Sequence, residues 1–213
     1  MTARYRRDRR QLVEELRQSG IRDLAVLHAF DRIPRHHFVP EAVRHRAYEI
    51  AALPIGHEQT ISRPTVHATH LSLAELEGDE RVLEVGTGSG FQTALLALLA
   101  GEVYSIERVE ALAERARERL RGIEMEKGEI HVRTGDGSRG WPGAAPFDAI
   151  LVGAAAPSVP PALEEQLAEG GRLVVPVGDD EQRLLLIRRR DGELEREEVE
   201  RSRFVPLVGE EGW

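Results

Sequence analysis

The sequence predicts an α/β protein with a doubly wound, mostly parallel sheet, a helical extension before it and antiparallel strands after it. From residue 80 onward, short apolar strands alternate with amphipathic helices. A glycine-rich turn joins the first of these strands to its helix, and the preceding residues have helical periodicity. We expect one domain over 1–213, made of N-terminal helices and a loop (1–78), an α/β core (79–178) and C-terminal strands (179–213).

The composition fits a globular protein and excludes several classes of function. Apolar residues make up 41% of the 213 residues, and 37 acidic against 29 basic residues give a net charge of −8. This charge disfavours nonspecific nucleic-acid binding, and no apolar run approaches the roughly 18 residues that cross a bilayer. The absence of cysteine excludes disulfides, thiol catalysis and cysteine-bound zinc. We therefore expect a cytoplasmic monomer that binds neither nucleic acid nor membrane.

The N-terminal third is predicted to be helical, with one irregular segment. Apolar residues recur at helical spacing over 8–33, and Pro34 ends this stretch. The segment 51–63 has no clean period and contains proline and glycine, so it predicts a loop. After it, Ser62 is in position to be the N-cap of a helix that has Pro64 in its first turn.

The remaining elements alternate between strand and helix before the chain closes with a hairpin. Asp191-Gly192 is a strong hairpin turn signal, and it joins a strand at 182–189 to a second antiparallel strand that extends to Phe204. The core elements are predicted as strands at 81–85, 102–107, 129–134, 147–153 and 172–177, and helices at 91–100, 109–120 and 161–168.

The first strand of the core leads into the run Glu84-Val85-Gly86-Thr87-Gly88-Ser89-Gly90. Ligands of open α/β sheets bind beyond the carboxyl ends of the strands, and glycines let the backbone approach them. A dinucleotide fingerprint needs its last glycine where Phe91 or Thr93 stands, so neither register fits. An acid two residues before glycines at every second position instead resembles the S-adenosylmethionine (AdoMet) loop of class I methyltransferases. The predicted fold is therefore Rossmann-like, of the class I methyltransferase type.

The next two strands also end in acidic residues. Glu107, followed by Arg108, ends the second strand and can accept both ribose hydroxyls of a nucleoside. Gly135-Asp136-Gly137 follows the third strand, where an aspartate can accept from the adenine amino group. Taken singly, Glu107 could be a helix N-terminal charge and Asp136-Gly137 a plain turn. Acids at the ends of consecutive strands together favour AdoMet as the cofactor, with S-adenosyl-L-homocysteine as the product.

Several motifs outside the glycine-rich turn resemble those of the protein-L-isoaspartate O-methyltransferase family. The resemblance extends from about residue 13 to 209. The glycine-rich turn is common to many methyltransferases, whereas the 59–62 and 203–207 segments distinguish this family from the others. Two departures, Glu58 where the bacterial family usually has glycine and Arg63 where it has glutamine or alanine, lie beside the expected site. The matching motifs are Ile33-Pro34-Arg35-His36-His37-Phe38-Val39-Pro40, Leu53-Pro54-Ile55-Gly56, Gln59-Thr60-Ile61-Ser62, Gly135-Asp136-Gly137 and Arg203-Phe204-Val205-Pro206-Leu207.

The resemblance implies a repair enzyme that acts on damaged proteins and peptides containing L-isoaspartyl residues, with D-aspartyl sites included in the family's name. Such an enzyme methylates the α-carboxylate, and the ester then loses methanol to re-form a succinimide that opens in part to aspartate. A carboxylate is already an anion near pH 7, so the transfer needs orientation and removal of water more than a base.

The resemblance also assigns individual residues. Ser62 matches the active-site serine, and we expect it to orient the carboxylate by donating a hydrogen bond, although it could be only a helix cap. His67 matches a cofactor-contacting position, although a lone histidine in a helix is more often a surface residue. A metal pair of His67 and His70 is rejected, since no carboxylate completes it. Expected cofactor contacts are Thr60, Ile61, Ser62, His67, Glu84, Gly86, Thr87, Gly88, Ser89, Gly90, Glu107, Arg108, Gly135, Asp136 and Gly137, and expected substrate contacts are Ile55, Gln59, Ser62, Val205 and Pro206.

Two other functions stay open at this stage. One is an AdoMet-dependent methyltransferase for another acceptor, either a small molecule or RNA. Amino-group methyltransferases often carry an Asn/Asp-Pro-Pro-aromatic motif after the fourth strand, where this chain has 152–157, VGAAAP, which argues against base methylation. The other is a noncatalytic AdoMet-binding module, against which the intact 59–62 segment counts.

Overall fold

The computed structural model describes residues 3–123 and 128–213. Its helices are α1 (Ala3–Gln18), α2 (Leu24–Arg32), α3 (Pro64–Ala74), α4 (Phe91–Leu99), α5 (Glu110–Arg121) and α6 (Pro161–Glu165). Its strands are β1 (Leu53–Gly56), β2 (Gln59–Ile61), β3 (Arg81–Val85), β4 (Glu102–Glu107), β5 (Glu129–Thr134), β6 (Phe147–Val152), β7 (Leu167–Val177), β8 (Gln182–Arg190) and β9 (Glu193–Ser202).

Seven strands form one sheet in the order β5-β4-β3-β6-β7-β8-β9. The first five are parallel, whereas β8 and β9 pair antiparallel at one edge. Asp191 and Gly192 form the β8–β9 turn with φ of 51° and 79°, as the hairpin signal predicts. The chain runs from β3 outward to β5 and then crosses to β6 on the other side of β3. The predicted α/β fold class is confirmed, and this crossover is where such sheets bind ligands.

Two apolar clusters cover the faces of the sheet. The N-terminal helices and α4 pack on one face, where Phe91 meets Phe30 and Phe38 edge-on at ring-centroid distances of 5.7 and 5.5 Å. The second cluster joins β6 and β7 to α6 on the other face, around Phe147 and Leu163. The extension is therefore part of the core packing on this face of the sheet. Among the described helices, none is long and apolar enough to cross a membrane.

The predicted loop at 51–63 is wrong, because β1 and β2 form an antiparallel hairpin there. Leu53 and Ile55 are buried while the proline and glycine between and after them are exposed, so a strand alternation underlies a turn-like composition. The turn uses His57 and Glu58 in the left-handed region, with φ of 53° and 59°. Glycine is the residue that adopts this backbone most readily, which explains the family preference at the position of Glu58.

Two predicted helix boundaries are also wrong. The N-cap of α3 is Arg63, which makes no side-chain capping bond, so Ser62 is not the cap. Helix α6 ends at Glu165 instead of 168, because the following chain pairs with β6. There the backbone oxygen of Gln166 accepts from Phe147, and its side chain binds the backbone of the 139–141 segment. These long-range bonds outcompete the local helical pattern.

Candidate active site

A cavity lies beside the carboxyl ends of β3 and β4, and three parts of the chain line it. The β1–β2 hairpin and α3 contribute Gln59, Thr60, Ile61, Ser62, Val66, His67 and His70. The core contributes Val85, Gly86, Thr87, Gly88, Ser89, Gln92, Ile106, Glu107, Arg108, Val109, Gly137, Gly153 and Ala154. The segment after β9 contributes Phe204, Val205, Pro206, Leu207 and Val208.

Most of the residues expected from the sequence line this cavity together. Those that do are Gln59, Thr60, Ile61, Ser62, His67, Gly86, Thr87, Gly88, Ser89, Glu107, Arg108, Gly137, Val205 and Pro206. Five expected residues lie outside the lining, namely Ile55, Glu84, Gly90, Gly135 and Asp136. Sequence reasoning missed Val66, His70, Val85, Gln92, Ile106, Val109, Gly153, Ala154 and Val208, whereas Phe204 and Leu207 belong to the 203–207 segment that it singled out. Helical spacing from His67 could have found His70, whereas Gln92 carries no signal of its own.

The glycine-rich turn bends around the cavity because its glycines have a backbone that other residues rarely adopt. Gly86, Gly88 and Gly90 have φ of 96°, 53° and 86°. The N–H of Gly86 donates to the β4 carbonyl of Ile106 at 2.8 Å, which anchors the start of the turn. Buried Ile55 supports the turn from the hairpin, since its Cδ1 is 3.6 Å from where a Cβ on Gly88 would lie. Ile55 is thus packed behind the turn rather than exposed to a substrate.

Glu107 ends β4 and is the carboxylate that faces the cavity. It is 6% exposed, and its oxygens accept from the backbone N–H groups of Gly88 at 2.7 Å and Val109 at 2.9 Å. A carboxylate has about four acceptor sites, so two remain for hydroxyl groups of a ligand. The neighbouring Gly135 lies outside the lining and donates its N–H to the Glu107 carbonyl at 2.9 Å.

Glu84, the acid that opens the glycine-rich motif, is fully buried beneath the turn instead of facing the cavity. Its carboxylate accepts from Ser105 at 2.6 Å, Thr93 at 2.5 Å and Gln92 at 3.2 Å. Burial raises the pKa of Glu84 to about 7, and the three donors oppose that rise because they stabilise the charged form. Since Ser105 donates to Glu84, the hydroxyl of Thr87 donates to Ser105 at 2.5 Å, which ties the turn to the buried acid.

Asp136, the acid after β5, is occupied by the C-terminal segment. One of its oxygens accepts from the N–H and hydroxyl of Ser138 at 2.9 and 2.7 Å, and the other from the N–H of Glu210 at 2.8 Å. Burial alone would raise the pKa of Asp136, but these backbone and hydroxyl donors outweigh it and hold the pKa below its usual range. Gly209 packs so closely that a Cβ there would collide with the carboxylate. Asp136 therefore anchors the end of the chain, next to the lining residue Gly137.

Ser62 lies half-buried in the lining, and a buried arginine holds its backbone. Arg35 is 0% exposed and donates to the carbonyls of Ser62 at 2.9 Å, Ala47 at 2.5 Å and Ala51 at 3.3 Å. Burial lowers the pKa of Arg35 to about 10, so it stays charged at neutral pH. Its role as the link between three segments could not be read from the sequence, because the acceptors are backbone carbonyls far along the chain.

Two histidines of α3 present unpartnered nitrogens in the same lining. Nδ1 of His67 lies 2.9 Å from Oε1 of Gln92, and the His70 ring stacks on Phe204 at 5.4 Å. The Nε2 atoms of both histidines are buried without a hydrogen-bond partner in the described chain. Burial lowers the pKa of His67 to about 4 and that of His70 to about 3, so both are neutral at pH 7. Buried acceptors or donors of this kind favour a ligand that completes them.

The donor set fits AdoMet and gives no sign of a metal site. Glu107 offers acceptor sites for hydroxyls, the glycines of the turn present no side chain to a ligand, and the two Nε2 atoms lack partners. Among residues 3–123 and 128–213, no group of three histidine, cysteine, aspartate or glutamate side chains could hold an ion. The arrangement is suited to binding and orientation.

Comparison with known sequences places the chain in one family. A family model described as protein-L-isoaspartate(D-aspartate) O-methyltransferase matches residues 7–212. A protein-L-isoaspartate O-methyltransferase of Alkalilimnicola ehrlichii is 53% identical over 207 residues, which cover 96% of this chain and 93% of the relative. Protein-L-isoaspartate O-methyltransferase 1 of Rhodopseudomonas palustris is 48% identical over 207 residues, covering 96% of this chain and 84% of the relative.

Solved structures agree with this placement. A protein-L-isoaspartate O-methyltransferase superposes with a TM-score of 0.85 at 29% identity, covering 96% of this chain and 67% of the other. A Plasmodium falciparum protein described as a β-aspartate methyltransferase, in complex with S-adenosyl-L-homocysteine, gives a TM-score of 0.83 at 26% identity, covering 94% and 98% of the two chains. The expectation from the sequence motifs is confirmed: the chain belongs to the protein-L-isoaspartate(D-aspartate) O-methyltransferase family.

Proposed function

We propose that the chain transfers the methyl group of AdoMet to the α-carboxylate of L-isoaspartyl residues in damaged proteins and peptides, giving the methyl ester and S-adenosyl-L-homocysteine. The observation that carries this proposal is the match of the family model to residues 7–212. The cavity supports it, since its lining includes both the glycine-rich turn of the core and the discriminating 59–62 segment.

On the cofactor side, the chain holds its ligand through the turn between β3 and α4. Glu107 accepts hydrogen bonds from the ribose hydroxyls, and its bonds to Gly88 and Val109 keep the carboxylate oriented. Gly86 and Gly88 bring backbone close to the ligand without a Cβ in the way. Bound AdoMet supplies an electrophilic methyl group on a sulfonium.

On the substrate side, Ser62 donates its hydroxyl to the incoming carboxylate and orients it. Arg35 keeps Ser62 in place through the backbone. Val205 and Pro206 line the same cavity, in a segment that bridges to Ala155, and their apolar side chains help to exclude water from the nucleophile. Gln59 beside Ser62 offers a further amide for the peptide.

The test uses two peptides that are identical except for one L-isoaspartyl or L-aspartyl residue. Each is incubated with the protein and methyl-labelled AdoMet, and base-labile label is counted. We expect label on the isoaspartyl peptide alone. Label on neither peptide, with AdoMet binding confirmed by calorimetry, would refute the isoaspartyl carboxylate as the methyl acceptor and indicate a different acceptor. No transfer to any acceptor tested would leave a binding module.

Ser62→Ala tests the orienting role. Its kcat should fall by about 10-fold, the worth of one hydrogen bond of roughly 1.4 kcal/mol, with AdoMet affinity little changed. Ser158→Ala, an exposed serine outside the lining, is the matched control and should keep full activity. A Ser62→Ala enzyme with wild-type kcat would remove the serine from the mechanism.

We propose, in addition, that the chain acts as a monomer. The large exposed apolar side chains in the described ranges are few, namely Leu24, Ile50, Val208 and Trp213, which favours no extensive apolar interface. Light scattering after gel filtration should give a mass close to 23.8 kDa, and twice that mass would refute this proposal. The cytoplasmic location stays a prediction.

A further inference from the structure

Three buried side chains form a continuous hydrogen-bonded series that starts beneath the glycine-rich turn and ends in the cavity. Nε2 of Gln92 donates to Glu84 at 3.2 Å, and Oε1 of Gln92 lies 2.9 Å from Nδ1 of His67. All three residues are at most 9% exposed. Gln92 and His67 belong to the lining, whereas Glu84 lies behind it. The mechanism above uses none of these bonds.

The partners of Glu84 decide which way the Gln92 amide points. Above its pKa of about 7, Glu84 is an ionised carboxylate that only accepts hydrogen bonds, and it already receives the hydroxyls of Thr93 and Ser105 on one oxygen. The other oxygen therefore selects the NH₂ group of Gln92. With its nitrogen turned to Glu84, the amide presents oxygen to His67. The carboxylate of Glu84 thus determines that Gln92 presents an acceptor, and not a donor, to His67.

An amide oxygen cannot donate, so the hydrogen between Gln92 and His67 belongs to Nδ1 of the imidazole. A neutral imidazole carries one N–H, and a proton on Nδ1 leaves a lone pair on Nε2. Nε2 of His67 is buried and has no partner in the described part of the chain. A ligand in the cavity that donates a hydrogen bond would satisfy it.

We propose that Gln92 and Glu84 are positioning residues that hold His67 as the Nδ1–H tautomer, so that Nε2 accepts a hydrogen bond from the ammonium group of AdoMet. The inference rests on the proposed function, because it needs AdoMet in this cavity. The ammonium group requires acceptors, and among the described lining residues Glu107 alone is acidic. Glu107 is matched to the ribose hydroxyls, which leaves uncharged acceptors for the ammonium, and the buried Nε2 of His67 is one of them. The opposite tautomer would point an N–H at a cation.

The tautomer is measured first on the ligand-free full chain with ¹⁵N-labelled histidine. The His67 resonances are assigned by their loss in His67→Gln, and long-range ¹H–¹⁵N spectra tell a protonated nitrogen from an unprotonated one. We expect a protonated Nδ1 and a bare Nε2 at pH 8, where Glu84 is ionised. A bare Nδ1, or a doubly protonated ring, overturns the proposal. This measurement needs no cofactor and no variant of Gln92, so it stands whether or not the proposed function does.

The contact between His67 and the ammonium group is tested with S-adenosyl-L-homocysteine and its deaminated analogue, which lacks only the amino group. Gln92→Met keeps the side-chain length and removes the amide, and it should weaken S-adenosyl-L-homocysteine about 10-fold while changing the affinity of the analogue by less than about 2-fold. Gln18→Met on the exposed side of α1 is the matched control and should alter neither affinity.

Each other outcome is decisive. Equal weakening of both ligands by Gln92→Met, or weakening of neither, overturns the assignment of the ammonium group. Failure of the wild-type protein to bind S-adenosyl-L-homocysteine refutes the proposed function itself, and the histidine spectra would then still report which tautomer His67 adopts. A Gln92→Met chain that does not fold is replaced by comparing the two ligands on His67→Ala and His67→Gln. Selective loss for the amino ligand in His67→Ala, with recovery in His67→Gln, is then expected, and equal loss for both ligands overturns the proposal.

Discussion

Glu84 and Asp136 are acids of the same strand-end pattern, yet they stand in opposite environments. Glu84 is fully buried and is bound by three side chains of the core, and burial raises its pKa to about 7. Asp136 is partly exposed and is bound by Ser138 and the backbone of the C-terminal turn, which lower its pKa. Glu84 is hydrogen-bonded within the interior of the site, whereas Asp136 binds the C-terminal segment of the chain.

The difference shows that an acid in a ligand-binding motif can act without reaching the cavity. Of the three acids expected to contact the cofactor, Glu107 alone faces the cavity. Glu84 supports the turn through Ser105 and Thr87, and supports His67 through Gln92. A motif therefore predicts where an acid lies along a strand more securely than what its oxygens bind.

The largest effect should come from Glu84→Ala. It leaves the donors of Gln92, Thr93 and Ser105 buried and unpaired, and we expect the free energy of unfolding to fall by about 3–5 kcal/mol. Urea denaturation followed by circular dichroism measures it. Glu118→Ala, at an exposed position of α5, is the control and should cost little. A Glu84→Ala loss below about 1 kcal/mol would show that the buried acid does not anchor the turn.

Glu107→Ala tests the acid that faces the cavity, whose role differs from those of Glu84 and Asp136. Loss of charged hydrogen bonds worth roughly 1.5–3 kcal/mol should weaken AdoMet about 10- to 100-fold in calorimetry. Glu110→Ala removes the same charge three residues away at an exposed site, and its AdoMet affinity should match that of the wild type. Wild-type affinity in Glu107→Ala would refute the ribose assignment.

As the pH falls, the buried histidines of the site should be the first groups to lower the free energy of unfolding. Burial lowers the pKa of His70 from 6.5 to about 3, so its contribution to stability is full above pH 6.5 and is lost as the pH falls towards 3. Glu84 acts in the opposite sense, since its raised pKa makes its contribution decline as the pH rises from 4.5 to about 7. The pKa of Asp136 is lowered, so its contribution is lost only below its usual range.

His70→Phe isolates this effect while keeping the ring that stacks on Phe204. As the pH falls from 6 to 4, the wild type should lose about 1.4 kcal/mol of unfolding free energy per pH unit relative to His70→Phe. This slope is the linkage of one proton. Urea unfolding at several pH values measures it. A difference that does not vary with pH would show that His70 titrates normally.

The smallest effect should come from Asp136→Ala, because its partners lie near the surface and water can replace the lost oxygens. We expect a loss of about 1 kcal/mol in the free energy of unfolding. The amide of Glu210 should exchange its hydrogen faster, since that N–H loses its acceptor. Asp180→Ala, at an exposed turn, is the control. A loss as large as that of Glu84→Ala would erase the contrast between the two acids.

The sequence by itself determined the fold class, the order of the core strands along the chain, the glycine-rich turn and the family. The fold class, the strand order and the turn depend on periodicity and on short-range turn chemistry, both of which are written in neighbouring residues. The family was recognised from the resemblance of its motifs. The resemblance located Ser62 and the strand-end pattern located Glu107, and both residues line the cavity. Periodicity misread 51–63, because an alternation of only four residues, Leu53–Gly56, was masked by a proline and a glycine.

The tertiary structure alone decided what the polar groups bind. Arg35 reaches Ser62 across 27 positions, Gln92 meets His67 across 25, and Glu210 reaches Asp136 across 74. A carboxylate or guanidinium takes whatever donors or acceptors the folded chain brings within about 3 Å, and no local pattern encodes that meeting. The positions of the acids were therefore in the sequence, whereas their partners, and so their roles, followed from the packing of distant segments.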